Sequence, residues 1–273
     1  MPFIPPMLAT RLEGPRRLAD PRYIAEPKLD GQRAQLHVRE HRTLHAFSRP
    51  GRELIRLPGL TWLRDICWPV AAAVLDGEAV AGDGSEGIQA VFEARHRPGS
   101  PMAFAAFDLL ELDGQNVMGE PWTARRKQLE DLLEAPPPGV CLVPVTDDAP
   151  ALWDTWVEIG GEGIVLKERI SVYRPGLRSP AWLKLKPKLT LEVVVTGGSA
   201  ERVRWGDWGE AVMLAFRYTH PRTGTDVEIR QAVRVPRDLA FDLRIDNRLE
   251  LVCWGVMPSG MLRHPVLVST DRR

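Results

Sequence analysis

Apolar and polar positions alternate in short runs along the first two thirds of the chain, broken by stretches of helical spacing. Ala34, Leu36 and Val38 alternate with Gln35, His37 and Arg39, the pattern of a half-buried strand over 33–39. Strand signals also mark 24–27, 43–48, 72–80, 101–112, 163–167 and 182–188. Leu60, Leu63, Ile66 and Val70 fall at helical spacing, with Trp62 close to that face. Ser85 is placed to cap a helix running to Glu93. Residues 122–134 predict a charged amphipathic helix, with Thr123 as its cap and Leu129, Leu132 and Leu133 inward; Pro136-Pro137-Pro138-Gly139 breaks it. Residues 150–159 predict another, with proline in the first turn and Gly160-Gly161 as the stop. Residues 1–25 read as a lead-in that packs on the sheet.

Beyond Thr190 the texture changes. Segments 193–195, 212–218, 227–233 and 249–254 are strand-like, separated by Gly, Pro, Asn and Asp turns, with one helical piece at 237–243. Short strands and one helix in about 80 residues fit a small Greek-key barrel of oligonucleotide-binding type. The boundary is expected near 187–190, which divides an α+β chain into 1–188 and 189–273.

Charge refines this picture only slightly. Lys and Arg total 36 and so do Asp and Glu, so no global basic field announces a nucleic-acid partner. From Pro180 to Arg273, 15 basic residues stand against 11 acidic ones, leaving 21 against 25 before it. Cys67, Cys141 and Cys253 lie far apart, which gives neither a zinc knuckle nor a disulfide framework and suits a reducing cytosol. No secretory signal and no membrane-spanning run is expected.

The candidate chemistry centres on Glu26-Pro27-Lys28-Leu29-Asp30-Gly31-Gln32-Arg33, at a strand entrance. Taken alone, a lysine beside an acid, a glycine and an arginine also describes ordinary surface. Yet Lys-x-Asp-Gly-x-Arg is the nucleotidyl-lysine motif of the covalent nucleotidyltransferases. Five more motifs follow in order: Ser48-Arg49-Pro50-Gly51, Asp76-Gly77-Glu78, Phe104 to Asp108, Glu162 to Lys167, and Trp182-Leu183-Lys184-Leu185-Lys186-Pro187. Each is weak by itself, but the ordered series, each near a strand, is strong. From about Met7 onward the chain resembles the ATP-dependent DNA ligases, in particular small bacterial and phage forms. That resemblance implies a nucleotidyltransferase (ATP-grasp-like adenylation) domain of antiparallel sheets and helices, followed by an OB-fold barrel.

It also implies roles. Lys28 must offer a neutral amine to the α-phosphorus of ATP, and nearby cations favour that form, with Lys184, Lys186 and bound magnesium as candidates. Lys28 would carry AMP, while Lys184 and Lys186 hold the α-phosphate and stabilise its developing charge. Their i, i+2 spacing puts both on one strand face. Glu78 and Glu162 are the carboxylates implied for magnesium or manganese, the first also near the ribose; a surface turn and a helix stop are the plain alternatives. Glu26 is placed to accept from the adenine amine and Phe107 to stack on the base, with Phe104 competing for that job. Arg33, counted also among the nucleotide contacts, and Arg49 are implied to grip the 5′-phosphate of a nick. Asp30 would support attack by the 3′-hydroxyl. Arg178 touches nucleotide or DNA phosphate, or is an exposed loop arginine.

The implied partner is nicked double-stranded DNA, gripped through its phosphates without sequence preference. The enzyme is expected to be a cytoplasmic monomer serving replication, repair or recombination. ATP rather than NAD is implied because 27 residues precede Lys28 and no cysteine cluster follows. Trp205 and Trp208 are assigned to core packing or to the duplex. At the end of the chain Ser269 stands where the family's last motif has an arginine. Asp271 and Arg272 keep the rest, so Arg272 is the candidate for orienting pyrophosphate, with Arg263 or Arg273 replacing the lost charge; a solvated basic tail is the alternative. The nearest rivals are a messenger-RNA capping guanylyltransferase and an RNA ligase. A nick-binding module without chemistry is the rival of another class.

Overall fold

The computed structural model describes residues 2–81, 87–100, 102–204, 210–221, 223–236, 244–257 and 259–270. They fall into two compact units, Met1–Leu185 and Lys186–Arg273. In the first, the strands are β1 (Leu8–Arg11), β2 (Tyr23–Pro27), β3 (Gln32–Arg39), β4 (Arg42–Ser48), β5 (Ala72–Ala81), β6 (Met102–Leu112), β7 (Gln115–Asn116), β8 (Val140–Leu142), β9 (Ile164–Glu168) and β10 (Arg178–Leu185). A 3₁₀ helix (Pro58–Asp65) and the helices α1 (Gly87–Ala94), α2 (Trp122–Leu132) and α3 (Ala149–Glu158) pack around them.

These strands form two sheets. One has the order β4-β3-β5-β6-β7, with β8 added beside β6; the other has the order β1-β10-β9-β2. The alternation in β3 sends Ala34, Leu36 and Val38 into one core, beneath the 3₁₀ helix, α1 and α2. A second core packs Ala25, Ile164, Leu166 and Leu183 against Trp153 and Trp156 of α3. A third, small cluster joins the two sheets: Met7, Val74, Leu110, Trp122, Tyr173 and Trp182. Polar side chains on the inward faces gather around this last cluster.

Three local expectations change. The helix expected over 60–70 is a 3₁₀ turn that ends at Asp65. Trp68 draws the chain away from it, its indole donating to Thr43 Oγ1 at 2.9 Å and its backbone N–H to His41 O at 2.8 Å. Thr123 does not cap α2: Pro121 stands at the cap, and Thr123 N donates to Arg169 O instead. The strand expected to reach Lys188 stops at Leu185, so Lys184 lies on β10 and Lys186 beyond it, in the second unit. Pro187, which has no N–H for a ladder, is the local reason.

The second unit is a closed barrel of β11 (Leu189–Arg204), β12 (Glu210–Thr219), β13 (Asp226–Arg234), β15 (Val266–Thr270) and β14 (Arg248–Cys253), in that order around the ring. β11 serves two partners, pairing with β14 over 189–194 and with β12 from 194 onward. It bends at Gly197-Gly198, where a Cβ on Gly198 would lie 2.4 Å from Met213 O, so only glycine lets the strands cross so closely. Ser269 lies in β15 and donates to Glu250 at 2.9 Å, while Arg263 is 93% buried in the barrel. Ser85, Trp205, Trp208, the helical piece 237–243 and Asp271, Arg272 and Arg273 lie outside the described residues. Among the described residues no helix is long and apolar enough to cross a membrane.

Candidate active site

A cleft of about 210 Å³ opens in the first unit, lined by residues of both sheets. β2 pairs with β9 as far as Pro27↔Ile164, and Lys28 N then donates to Gly163 O at 2.8 Å. Lys28 is therefore fixed at the strand end, with its side chain on the cleft wall. The turn that follows lies hard against β5. A Cβ on Gly31 would meet Ala79 O at 2.4 Å and Glu78 Cγ at 2.7 Å, so the glycine brings the lysine turn and the Asp76-Gly77-Glu78 strand together. Asp30 sits in this turn. Lys28 Nζ pairs with Glu162, which is presented just after the stop of α3. Gly161 packs there so closely on Trp156 that a Cβ would come within 2.2 Å of the indole.

Gly77 bears on where the two phenylalanines lie. Its missing Cβ would lie 2.4 Å from the Phe104 ring, so Phe104 crosses under the sheet into the core at 1% exposure. Phe107, three residues on and therefore on the opposite face, lines the cleft. Two cations face its ring: Arg33 at 4.5 Å and Lys167 at 4.4 Å from the centroid. Lys167 is the residue that the motifs contained but to which they gave no role. It is 1% exposed, pairs with Glu26 at 2.9 Å, donates to Phe107 O at 2.9 Å, and also lies over the Trp182 ring. Burial pushes the Glu26 carboxyl up and the Lys167 ammonium down, and each opposes the other's shift.

Arg33 is less open to a ligand than its motif suggests. Its Nε and Nη2 grip fully buried Asp76 at 2.6 and 2.5 Å, leaving the side chain about one fifth exposed on the cleft wall. Arg49, Arg178 and Lys184 also line the cleft; Arg178 is exposed and donates to Ala9 O at 2.5 Å. Glu78 lines it too, and burial, with Glu162 and Asp76 nearby, raises its carboxyl to about 7 against the pull of Lys28 and Arg33. Among the described residues no group of three or more His, Cys, Asp or Glu is arranged to hold a metal. Glu78 and Glu162 together still suit magnesium, which binds through one or two carboxylates plus water and a nucleotide's phosphates.

Residues 6–186 match the family described as ATP dependent DNA ligase domain. The chain belongs to this ligase family. It is 34% identical over 205 residues to a DNA ligase of Natronomonas pharaonis, a match covering 69% of this chain and 36% of that protein. It is 35% identical over 197 residues to the multifunctional non-homologous end joining protein LigD of Mycolicibacterium smegmatis, covering 70% of this chain and 25% of LigD. The chain thus spans well under half the length of these two ligases. Among solved structures, the ligase domain of M. tuberculosis LigD superposes with a TM-score of 0.61 at 25% identity, over 98% of this chain and 95% of that one. A Lig E DNA ligase, at 17% identity, shares the fold with a TM-score of 0.63 over 98% and 100% of the two chains. The chain thus shares its fold, across both units, with these ligase structures.

Proposed function

We propose that the protein is an ATP-dependent DNA ligase that seals nicks through a lysyl-adenylate. One observation carries the choice of nucleotide. Beside Phe107 the cleft holds an acceptor, Glu26, and a donor, Lys167, locked together. The adenine edge offers an amine donor at N6 and an acceptor at N1, which complements that pair. Guanine offers the reverse, an acceptor at O6 and a donor at N1, so a base seated the same way on Phe107 would set each group against its like. This weighs against a capping guanylyltransferase.

In the reaction Lys28 Nζ first leaves Glu162 and attacks the α-phosphorus; the bond to the β-phosphate oxygen breaks, and pyrophosphate departs. The nick's 5′-phosphate then takes AMP with Lys28 leaving. Finally the 3′-hydroxyl, its attack supported by Asp30, displaces AMP and closes the strand. Phe107 carries the base and Lys184 stabilises the charge on the α-phosphate. Arg49 and Arg178, both exposed on the cleft, are the better placed arginines for DNA phosphate; Arg33 contributes the edge that Asp76 leaves uncovered. Magnesium, held by Glu78 and Glu162, would supply Lewis-acid charge at the phosphates.

The test is labelling with α-labelled ATP and GTP, beside sealing of a nicked duplex. Wild type should take label from ATP at least a hundredfold faster than from GTP, and Lys28→Ala should take none. Glu26→Gln should narrow the preference. Equal labelling by GTP, or labelling of Lys28→Ala, overturns the assignment.

A further inference from the structure

Asp76 lies at the centre of a closed ring of hydrogen bonds that the motif chemistry does not use. It is fully buried, and besides the two bonds from Arg33 its Oδ2 receives the Tyr173 hydroxyl at 2.6 Å. That hydroxyl in turn accepts from Met7 N at 3.0 Å. The ring closes because Arg33 Nη2 also donates to Met7 O at 3.3 Å. Its four members come from β3, β5, the loop between β9 and β10, and the segment before β1. Burial and the Asp76 carboxylate push the Tyr173 phenol well above its usual range, so it stays a donor.

The ring bears directly on the cleft, although Tyr173 does not line it. Arg33 lies over the Phe107 ring, and Leu8 and Ala9, the residues after Met7, form part of the wall. We infer that Tyr173 is a positioning residue for nucleotide binding: its hydroxyl, bridging the Met7 N–H to Asp76, holds Arg33 and the Leu8–Ala9 wall in place. This rests on the reading of the cleft as the ATP site. The phenyl ring has separate work, packing edge-on against Trp182 at 5.7 Å with Arg125 at 5.9 Å. Tyr173→Phe keeps that packing and removes only the bridge.

Losing a hydrogen bond to a buried carboxylate weakens its grip on Arg33, so KM for ATP in Lys28 labelling should rise roughly tenfold in Tyr173→Phe. The maximal rate should stay within about twofold, since Lys28 and Lys184 are untouched. Amide exchange in peptides spanning Met7–Ala9 should accelerate roughly tenfold, whatever the activity. In an Arg33→Lys background the same change should add clearly less than tenfold to KM, because part of what Tyr173 does passes through Arg33 and only the hold on the Leu8–Ala9 wall is left to lose. An unchanged KM in Tyr173→Phe, or a full tenfold addition in the Arg33→Lys background, overturns the inference while leaving the ATP reading intact. Failure of the wild type itself to take label from ATP overturns the ATP reading, and the positioning role falls with it.

Discussion

Around the cleft of the first unit, Glu26, Asp76, Asp108, Arg125 and Lys167 are all at most 3% exposed, and every one is in an ion pair. The barrel of the second unit does the opposite. Its core is Val193, Val195, Val212, Leu214, Phe216, Val233, Leu249, Leu251 and other apolar side chains, with Gln231 and Arg263 as the buried polar exceptions among the described residues. Its described ion pairs, Arg248 with Glu192 and Arg202 with Glu210, are about one third or more exposed. Burying two charges costs several kcal/mol of lost hydration each, which their attraction only sometimes repays. The described core of the barrel is thus closed mainly by apolar packing. The charges inside the first unit are better understood as holding a cleft in shape, and that difference is measurable.

The largest effect should come from breaking a pair that is wholly buried. Arg125 donates through Nε and Nη2 to Asp108 at 2.8 and 2.9 Å and through Nη1 to Glu120 O and Ser171 O. Arg125→Met leaves Asp108 charged and uncompensated, and should cost about 3–5 kcal/mol in urea unfolding. Replacing both partners with apolar residues should recover much of that loss. Full retention of stability in the single variant would show that the cleft side does not depend on its charges.

Next comes an acid-side test on the same face of the sheet. His37 is 1% exposed; its Nε2 meets Gln35 Oε1 at 2.8 Å, and Nδ1 has no hydrogen-bond partner among the described residues. Burial above all, with the charges of Arg39 and His45 among the lesser causes, pushes its pKa down from 6.5 to about 4. The unfolded chain takes up this proton below about 6.5 and the folded one only below about 4, so stability falls as pH drops through that window. The loss should approach about 3 kcal/mol at pH 4. His37→Gln should flatten that arm of a stability-against-pH curve measured by urea unfolding. An acid arm as steep as in wild type would assign the loss to other groups.

What could be read from the chain alone follows the range of each interaction. The Lys28 turn, the Asp76-Gly77-Glu78 strand and the glycine stop before Glu162 are local signals, and each falls where a strand end or tight approach needs it. Phe104 and Phe107 were inseparable by composition, since both sit in one apolar run; the close approach at Gly77 separates them. The partners of Arg33 and Glu26 were invisible because Asp76 is 43 residues away and Lys167 lies on another strand. β1 was missed for the same reason. It pairs in parallel with β10, about 170 residues on, and carries no alternation of its own.

The smallest effect should come from the barrel's outer face. Arg248 and Glu192 are paired, but their side chains are 57% and 63% exposed. Glu192 is also directly opposite Glu250 across the β11–β14 ladder, and Glu250 receives the Ser269 hydroxyl from β15. Arg248→Ala therefore removes one exposed pair and leaves two carboxylates facing each other, a combination that should cost no more than about 1 kcal/mol. The repulsion is screened over about 30 Å at 0.01 M salt and about 3 Å at 1 M. Urea midpoints of wild type and Arg248→Ala should accordingly differ at low salt and converge at high salt. A loss matching that of Arg125→Met, or one indifferent to salt, would mean that the barrel too is held by its charges, and the contrast between the two units would collapse.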